Sequence, residues 1–554
     1  VTTFMSKLPK LHRKPFSGYS NSKKVSFARS TFGVISFVSR SFKRIALSLI
    51  CLVGAIGFST ISPSGASTGT TSSNTILYAA ASSTGIGNCA DANDACDLAT
   101  ALTKVTAGET IDLVTPGSTN SYEGNFTLNT NGTSLTAPIT IQPAPGVTNP
   151  TLDGNNSGTV LTINTNVYVN LIGVTITGGQ AAGGGINNSG TLTATNDTIS
   201  NNKAYGGQGG GIYNSGTLTA TNSTISKNSA LGGGQGGGIY NSGTLTATNS
   251  TISKNSALGG GQGGGIMNFG SLTATNDTIS NNSADYGGGI MNFGSLTATN
   301  DTISHNSDGL GGAIENGGPT FTLAASIVAD QASGPDCAGS LPITDAGYNL
   351  ADGSSCGLSL SNHSLSNTPI TLPSLNSNGG PTQTIAIDQN SPAYNAIPVD
   401  TGLCGPTATV GKSLVPNGIT VPSTDQRGYQ RPESSNPNFC SIGSYQYTYA
   451  PIITSISPSG TYAPGSVVTV TGSNFFNTKN LSDITGITID NVAVVTYSVN
   501  SNTSITLTVP SGIITSTDSP LVISNSDGPS LAYSISTVAS PSTLYVSQKG
   551  SDKK

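Results

Sequence analysis

Residues 183–202 read GGGINNSGTLTATNDTISNN, and four variants of this stretch follow at 209–228, 236–255, 263–282 and 287–306. A sixth copy begins at Gly311. The isoleucine that follows the glycines recurs every 24 to 27 residues, at Ile186, Ile212, Ile239, Ile266, Ile290 and Ile314. Self-similarity at this period is typical of a solenoid.

The spacing inside each copy indicates which kind of solenoid forms. Ile186 and Leu192 are six residues apart, Leu192 and Ile199 are seven apart, and the later copies keep both spacings. All length variation falls in the Gly-rich remainder. Polarity alternates in Thr-Leu-Thr-Ala-Thr and Ser-Thr-Ile-Ser, which is the period of a strand with one buried face. We therefore predict a right-handed parallel β-helix with three short strands per coil, stacked at about 4.8 Å.

Three columns of asparagine follow from this alignment. They are Asn188, Asn214, Asn241, Asn268, Asn292 and Asn316; Asn196, Asn222, Asn249, Asn276 and Asn300; and Asn202, Asn228, Asn255, Asn282 and Asn306. Asparagine tolerates the left-handed backbone of a sharp corner, and stacked amides can hydrogen-bond between coils. We interpret the columns as structural ladders; a ligand-binding row is the alternative. Sequons such as Asn222-Ser223-Thr224 are then by-products of the ladder, although in a eukaryotic secreted protein they would indicate glycosylation.

With GG[AG]I followed by Asn, the repeat resembles that of polymorphic outer membrane proteins, which belong to the pectin-lyase-like β-helix superfamily. That family's second element is usually Phe-x-x-Asn, whereas this chain has Ile-Ser-Lys/Asn-Asn. The resemblance implies a bacterial cell-surface protein.

The N-terminus has the parts of a secretory signal. Residues 1–44 carry ten Lys or Arg and no acidic residue, and a 14-residue apolar run, Ile45 to Phe58, precedes small residues. We predict a basic leader and signal peptide over 1–66, cleaved after Ala66; an uncleaved anchor is the alternative. Without the leader the net charge is near −15, which disfavours nucleic acid as a partner.

Six of the seven cysteines lie in the predicted exported part, which suits an oxidising compartment. Local pairing predicts disulfides Cys89–Cys96, Cys337–Cys356 and Cys404–Cys440, although six cysteines allow fifteen pairings. The spacing does not favour a metal site, and no cofactor is indicated.

The coils before the repeats are less regular. A helix from Asp97 to Thr106 is expected to cap the open end of the solenoid, within a β-helix domain over 67–330. The residues expected to face inward between Phe126 and Gly178 are Leu161, Ile163, Val169, Leu171, Val174 and Ile176.

Beyond residue 330 the repeat fades. Four motifs follow in an order that resembles the choice-of-anchor Q domain: Gly347-Tyr-Asn-Leu, Asn378-Gly-Gly-Pro-Thr-Gln-Thr, Asp425-Gln-Arg-Gly and Ile442-Gly-Ser-Tyr. The resemblance implies that 331–450 ends the β-helix. Asp425, Arg427 and Arg431 form its densest charge cluster. We interpret them as an ion-pair network that closes the last coil; a binding or catalytic group is the alternative.

Residues 451–538 show short alternating strands with Pro, Gly and Asn turns, typical of a β-sandwich. Pro464-Gly465, Val470-x-Gly472 and Asn474-Phe475 resemble an IPT/TIG immunoglobulin-like domain, which implies a spacer. Residues 539–554 are expected to be a linker or the start of a second, truncated β-helix. Contact with a membrane or cell wall is expected only through the leader or a missing C-terminal anchor.

Two features bear on whether the chain is an enzyme. Polysaccharide lyases and glycoside hydrolases with this fold need converging carboxylates or a cation with a base. Asp277 and Asp301 are the one acidic pair stacked in adjacent repeats; they could hold a cation or share a proton, but we expect a tolerated surface pair.

One column of the repeats is a candidate glycan strip if it faces outward; it consists of Tyr213, Tyr240, Met267 and Met291. Packing of this column under a loop is equally consistent with the sequence.

The sequence thus predicts an exported, extracellular or cell-surface bacterial protein that is not an enzyme. Its β-helix would be a rigid rod for adhesion, glycan contact or display, with glycans or neighbouring surface molecules as partners. A polysaccharide-cleaving enzyme and a purely structural stalk are the alternatives.

Overall fold

A computed structural model of the chain describes residues 76–538 except 83, 85, 116–119, 131, 310–312, 406–420, 433–435, 477–481 and 526–527. The predictions for 1–66 and for 539–554 lie outside the described residues.

Three parallel sheets form the walls of a solenoid. Sheet 1 has 12 strands: Cys96–Asp97, Ile76–Ala80, Thr110–Leu113, Ile139–Pro143, Tyr168–Ile172, Thr191–Thr195, Thr217–Thr221, Thr244–Thr248, Ser271–Thr275, Ser295–Thr299, Thr320–Ala324 and Thr344–Asp345. Sheet 2 has ten: Ser121–Glu123, Thr151–Asp153, Thr175–Thr177, Thr198–Ser200, Thr224–Ser226, Thr251–Ser253, Thr278–Ser280, Thr302–Ser304, Ile327–Val328 and Leu350–Ala351. Sheet 3 has nine: Phe126–Leu128, Leu161–Ile163, Ile186–Asn188, Ile212–Asn214, Ile239–Asn241, Ile266–Asn268, Ile290–Asn292, Ile314–Asn316 and Cys337–Gly339.

Each residue of a repeat pairs with its equivalent in the next coil. Leu192 lies opposite Leu218, and Leu218 opposite Leu245, without a register shift. The inward Ile and Leu of every repeat are buried in one continuous core. The six residues predicted to face inward before the repeats are buried in the same core. The predicted all-β fold with three strands per coil is therefore confirmed.

The elastic part of the repeat forms a fourth, five-stranded parallel sheet. Sheet 4 consists of Lys203–Tyr205, Ser229–Leu231, Ser256–Gln262, Ser283–Tyr286 and Ser307–Asp308. Its buried alanines, Ala230, Ala257 and Ala284, form a small core of their own. The Gly-rich insertions are therefore an ordered ridge of the solenoid, which the fixed spacings of the other three strands did not predict.

A short α-helix, Leu98–Lys104, lies at the N-terminal end of the solenoid. Asp97 caps it, since its carboxylate accepts a hydrogen bond from the backbone N–H of Thr100. Leu98, Ala101 and Leu102 are buried in the solenoid core, as expected of a cap. No helix in the described part of the chain is long and apolar enough to cross a membrane.

The solenoid ends earlier than predicted. Its last strand in sheet 2 is Leu350–Ala351, and the described residues between 365 and 447, called the return segment below, add no further strand to the three sheets. The expectation that all of 331–450 ends the β-helix is therefore wrong. The return segment contains the 3₁₀ helix Val399–Thr401 and a strand pair, Ile397–Pro398 with Phe439–Cys440. Another 3₁₀ helix, Leu360–Asn362, precedes it.

The C-terminal domain is a sandwich of two sheets around its own core. One sheet is Ile452–Ser457, Val467–Ser473, Ser504–Thr508 and Tyr497–Ser501. The other is Thr461–Tyr462, Tyr533–Thr537, Ser516–Asn525, Ile484–Ile489 and Val492–Ala493, with Gly528–Pro529 beside it. The predicted β-sandwich is thus confirmed.

A column of glycines at the corner before sheet 1 sets how closely the coils stack. A Cβ atom added to Gly243 would lie 2.0 Å from the carbonyl oxygen of Gly216, and Gly216 has the same relation to Gly190. Such an atom would overlap backbone rather than a movable side chain.

We predict that Gly243→Ala destabilises the solenoid by about 3 kcal/mol, the upper end of the cost of overpacking a core. Urea unfolding monitored by circular dichroism measures this change. Gly486→Ala in the sandwich is the matched control, because a Cβ atom there meets nothing within 4 Å. Equal stability of the two variants would contradict the proposed close approach.

Candidate functional site

Two of the predicted asparagine columns are hydrogen-bonded ladders inside the wall. In the Asn188 column, each side-chain amide donates to the side-chain oxygen in the next coil at 2.7–2.8 Å. In the Asn202 column, the backbone N–H and the side-chain amide of Asn202 both donate to Oδ1 of Asn228 at 3.0 Å. The pattern continues through Asn306, whose backbone N–H donates to Gln331. All members of both columns are buried.

The left-handed corners do not coincide with all three columns. Asn196, Asn222, Asn249, Asn276 and Asn300 have positive φ, as expected. In the Asn202 column the left-handed residue is instead the one before each asparagine: Asn201, Lys227, Lys254, Asn281 and His305. The expectation of a left-handed Asn at every corner is therefore wrong. In the Asn202 column the residue before each asparagine takes the left-handed backbone, and the asparagine itself supplies the buried ladder amide.

A third ladder was not foreseen. It runs through the residue after each Asn196-type corner: Asp197, Ser223, Ser250, Asp277, Asp301, Ser326 and Asn349. The backbone N–H of each member donates to the side-chain oxygen of the next, at 2.6–3.2 Å. The sequence signal is the restriction of this position to Asp, Ser or Asn, which share an oxygen acceptor on a short side chain.

The two stacked aspartates are buried members of this ladder. Asp277 and Asp301 are 0% exposed, so the expectation of a tolerated surface pair is wrong. Burial raises the pKa of Asp277 to about 8, and backbone N–H groups of Ser250 and Thr275 partly offset it. Burial, together with the charge of Asp277, raises the pKa of Asp301 well above its usual range. Oδ2 of Asp301 has no hydrogen-bond partner among the residues that the structure describes, which also favours a neutral carboxyl there.

The candidate glycan strip is covered. Met267 and Met291 are 0% and 4% exposed, Tyr240 is 8% exposed, and Tyr213 is half-buried against them. The rings of Tyr213 and Tyr240 stack on each other with centroids 5.2 Å apart. The outward-facing strip is therefore wrong and the column packs under the Gly-rich turn.

The charge cluster of the return segment is a buried clamp. Arg427 donates from Nε and Nη2 to Oδ2 of Asp425, at 2.9 and 2.7 Å, and both side chains are fully buried. The other carboxylate oxygen accepts the backbone N–H groups of residues 427–429. The guanidinium carbon lies 3.6 Å from the ring centroid of Tyr445 and 4.5 Å from that of Tyr429. This pair is an internal brace, as removing one partner would leave a buried charge.

Arg431 forms no ion pair with any residue that the structure describes. Its guanidinium donates to the backbone carbonyls of Ser441, at 2.8 Å, and Gly443. Burial lowers its pKa to about 10. Within the described part of the return segment, the expected ion-pair network thus consists of Asp425 and Arg427. The location also differs from the prediction, since the brace holds the return segment to the side of the repeats rather than closing the last coil.

Gln426 makes the contact with the repeats. Its amide nitrogen donates to Oγ1 of Thr251 at 3.0 Å, and its amide oxygen accepts from Oγ1 of Thr278 at 2.6 Å. One side chain therefore spans two neighbouring coils on the outer face of sheet 2. Ser444 continues the contact to the third coil, since its hydroxyl donates to Oγ1 of Thr302 at 3.1 Å.

The structure joins the cysteines in the predicted pairs, Cys89–Cys96, Cys337–Cys356 and Cys404–Cys440. The first lies beside the capping helix, the second at the last coils and the third inside the return segment. Each disulfide therefore fastens a part of the chain that lacks the repeat.

Comparison with known proteins agrees with this architecture in one region. Residues 451–540 match the IPT/TIG domain family, so the sandwich is an IPT/TIG domain. Among solved structures, pectate lyase Pel9A is 16% identical over 67% of this chain and 96% of its own, with a TM-score of 0.40. The GH136 lacto-N-biosidase from Eubacterium ramulus is 10% identical over 50% of this chain and 62% of its own, with a TM-score of 0.22. No curated protein matches the chain.

We predict that the solenoid loses stability as the pH rises from about 4 to about 8. Over this range the folded chain retains protons on Asp277 and Asp301 that the unfolded chain releases, because burial raises both pKa values. Each retained proton makes the free energy of unfolding fall by up to about 1.4 kcal/mol per pH unit. Urea unfolding at a series of pH values measures the slope.

The double variant Asp277→Ser/Asp301→Ser should flatten this slope and be more stable than the parent chain at pH 8. Serine already occupies the ladder at positions 223 and 250, so the backbone N–H groups keep an acceptor. Some slope should persist, since burial raises the pKa of Asp197 to about 8. Asp388→Ser, at an exposed position, is the control that should leave the slope unchanged. A double variant with the parent slope would contradict the burial of neutral carboxyls.

Proposed function

We propose that the chain is an exported, non-enzymatic bacterial surface protein whose solenoid is a rigid rod for adhesion, glycan contact or structural display. Three disulfides support export, since they persist in oxidising compartments. The IPT/TIG domain that follows the solenoid is in place to act as a spacer. The resemblances to polymorphic outer membrane protein repeats and to the choice-of-anchor Q domain favour the same setting.

One observation carries the proposal: the acidic groups that were candidates for catalysis are buried and occupied by structural hydrogen bonds. Acid–base cleavage of a glycan needs carboxyl groups that converge on a face open to substrate. Asp277 and Asp301 are fully buried and accept backbone N–H groups. The carboxylate of Asp425 accepts three backbone N–H groups and pairs with Arg427. These groups favour a structural interpretation of the charged residues.

The surface chemistry favours contact rather than turnover. Only 8% of residues are charged, and the outer faces of the repeats present mainly Thr, Ser and Asn. Partners that such a face can hold are extended and polar, which is why we retain glycans and neighbouring surface molecules as the partner class. Nucleic acid is disfavoured as a partner because the chain without its basic leader has a net charge near −15.

The test is to incubate the purified full chain with pectate, alginate, xylan and cellulose, with and without Ca²⁺. Co-sedimentation measures binding, and reducing and unsaturated ends measure cleavage. We expect no new reducing or unsaturated ends, whether or not the chain is retained on a polymer. New ends above a heat-denatured control would overturn the proposal.

If ends do form, the variants Asp277→Ser/Asp301→Ser and Arg427→Met decide where the activity resides. Activity that persists in both would place catalysis outside the groups analysed above. Activity lost in one would identify a site that opens in solution.

A further inference from the structure

The outer face of sheet 1 carries a two-dimensional array of threonine. In five consecutive coils the three outward positions of the strand are Thr or Ser, and each pairs in register with its equivalent in the next coil. The fifteen positions are Thr191, Thr193, Thr195, Thr217, Thr219, Thr221, Thr244, Thr246, Thr248, Ser271, Thr273, Thr275, Ser295, Thr297 and Thr299. The array has no charged residue. We refer to it below as the threonine lattice.

The lattice spacing follows from sheet geometry. Equivalent residues in neighbouring coils are about 4.8 Å apart, and alternate residues along one strand are about 6.7 Å apart. Ladders hold both ends of each strand, with the Asn188 column before it and the Asp197 column after it. Side-chain ladders of this kind oppose the usual twist of a sheet. We therefore expect the lattice to be flat over all five coils.

The side chains of the lattice are stiff and available. Branching at Cβ restricts χ1 of threonine, so the methyl and hydroxyl groups keep one orientation from coil to coil. Positions 217, 244, 271 and 295 are exposed, and positions 219, 246, 273 and 297 are half-buried. Thr299, at one corner, is buried. Among the described residues, no side-chain hydroxyl of the lattice forms a hydrogen bond with another protein group.

Sheet 2 provides an independent observation, because it has an equivalent threonine column that already holds an occupant. Thr251, Thr278 and Thr302 are buried under the return segment, whose Gln426 and Ser444 bond to their hydroxyls coil by coil. A threonine column with the coil-to-coil spacing of the solenoid thus binds polar groups that are spaced at the same distance. In sheet 1 the column is wider, and the described residues of the return segment form no hydrogen bond with its hydroxyls.

The chemistry of the lattice narrows the class of occupant. A neutral hydroxyl exchanges one hydrogen bond with water for another, so each contact contributes little. A flat, uncharged plane has no pocket to hold a single sugar or peptide. Only a ligand with the same two-dimensional repeat can add many weak contacts together. A crystalline surface meets this requirement, and a dissolved molecule does not.

We propose that the threonine lattice binds the surface of ice. Oxygen rows on the faces of hexagonal ice repeat at spacings close to both lattice spacings. Lattice hydroxyls would hydrogen-bond to these oxygens, and the methyl groups would lie between the rows. Crystalline cellulose and chitin also present regular hydroxyls, but their chains repeat over a longer distance along the glycan axis.

The test is incorporation of the full chain into slowly grown polycrystalline ice, with ice recrystallisation as a second readout. Thr219→Lys/Thr246→Lys places two long charged side chains in the middle of the lattice. Thr198→Lys/Thr224→Lys is the matched control on sheet 2, in coils where the outward threonines are half-buried as well. Circular dichroism melting verifies that both variants are folded.

We expect the parent chain and the sheet 2 control to enter the ice and slow recrystallisation. The lattice variant should fall to the level of a non-binding protein such as serum albumin. Exclusion of the parent chain from ice would overturn the proposal. So would undiminished incorporation of a folded lattice variant.

A parallel arm uses microcrystalline cellulose and chitin in place of ice. Retention on these solids that depends on Thr219 and Thr246, without incorporation into ice, would overturn the ice assignment and identify a polysaccharide crystal as the ligand. The inference does not depend on whether the chain is located at a cell surface.

Discussion

The solenoid depends on how it satisfies the backbone N–H groups at its corners. Within a strand each N–H meets a carbonyl of the neighbouring coil, but at the ladder positions of the corners the N–H meets a side-chain oxygen instead. A buried N–H without a partner costs about 1–3 kcal/mol. In this protein the N–H of Asn228 donates to the side chain of Asn255, and that of Ser223 to Ser250. At both of these positions the acceptor is a side chain one coil further on.

This constraint explains why the sequence repeats so closely. A ladder works only when the next coil offers an oxygen at the same height, so the period is fixed at the corners and free in the turn between them. Asp277 can replace serine in the ladder because it too presents an oxygen, at the cost of a buried carboxyl with a pKa of about 8. The ladder position therefore accepts different residue types, provided that each one places an oxygen acceptor at the same height. The same uniform spacing produces the threonine columns on the outer faces.

Much of the fold could be predicted from sequence, because strand alternation and the constant spacing of Ile186, Leu192 and Ile199 have one simple solution. The site residues were harder. Alternation alone does not reveal that a Gly-rich turn covers Tyr240 and Met267, since that depends on how a neighbouring ridge folds. Alternation also does not predict that Gln426 contacts Thr251, because this hydrogen bond joins segments that are far apart in the sequence.

The charged residues illustrate the same limit. Asp425 and Arg427 could be identified as a pair from their spacing, and the structure joins them at 2.7 Å. Arg431 could not be distinguished from them in the sequence, yet it bonds to backbone carbonyls instead. Burial decides between the two outcomes, and burial here is created by a return segment that the repeat does not encode.

Residue-resolved hydrogen exchange of the native chain tests the ladder account most directly. If the corner N–H groups are held as described, those of Ser223, Asn228 and Asn255 should exchange as slowly as those of the adjoining strands. In Asn255→Ala, exchange at the N–H of Asn228 should accelerate more than at strand positions of the same coil, because it loses its acceptor. Corner N–H groups that exchange at the rate of exposed loops in the parent chain would contradict the account.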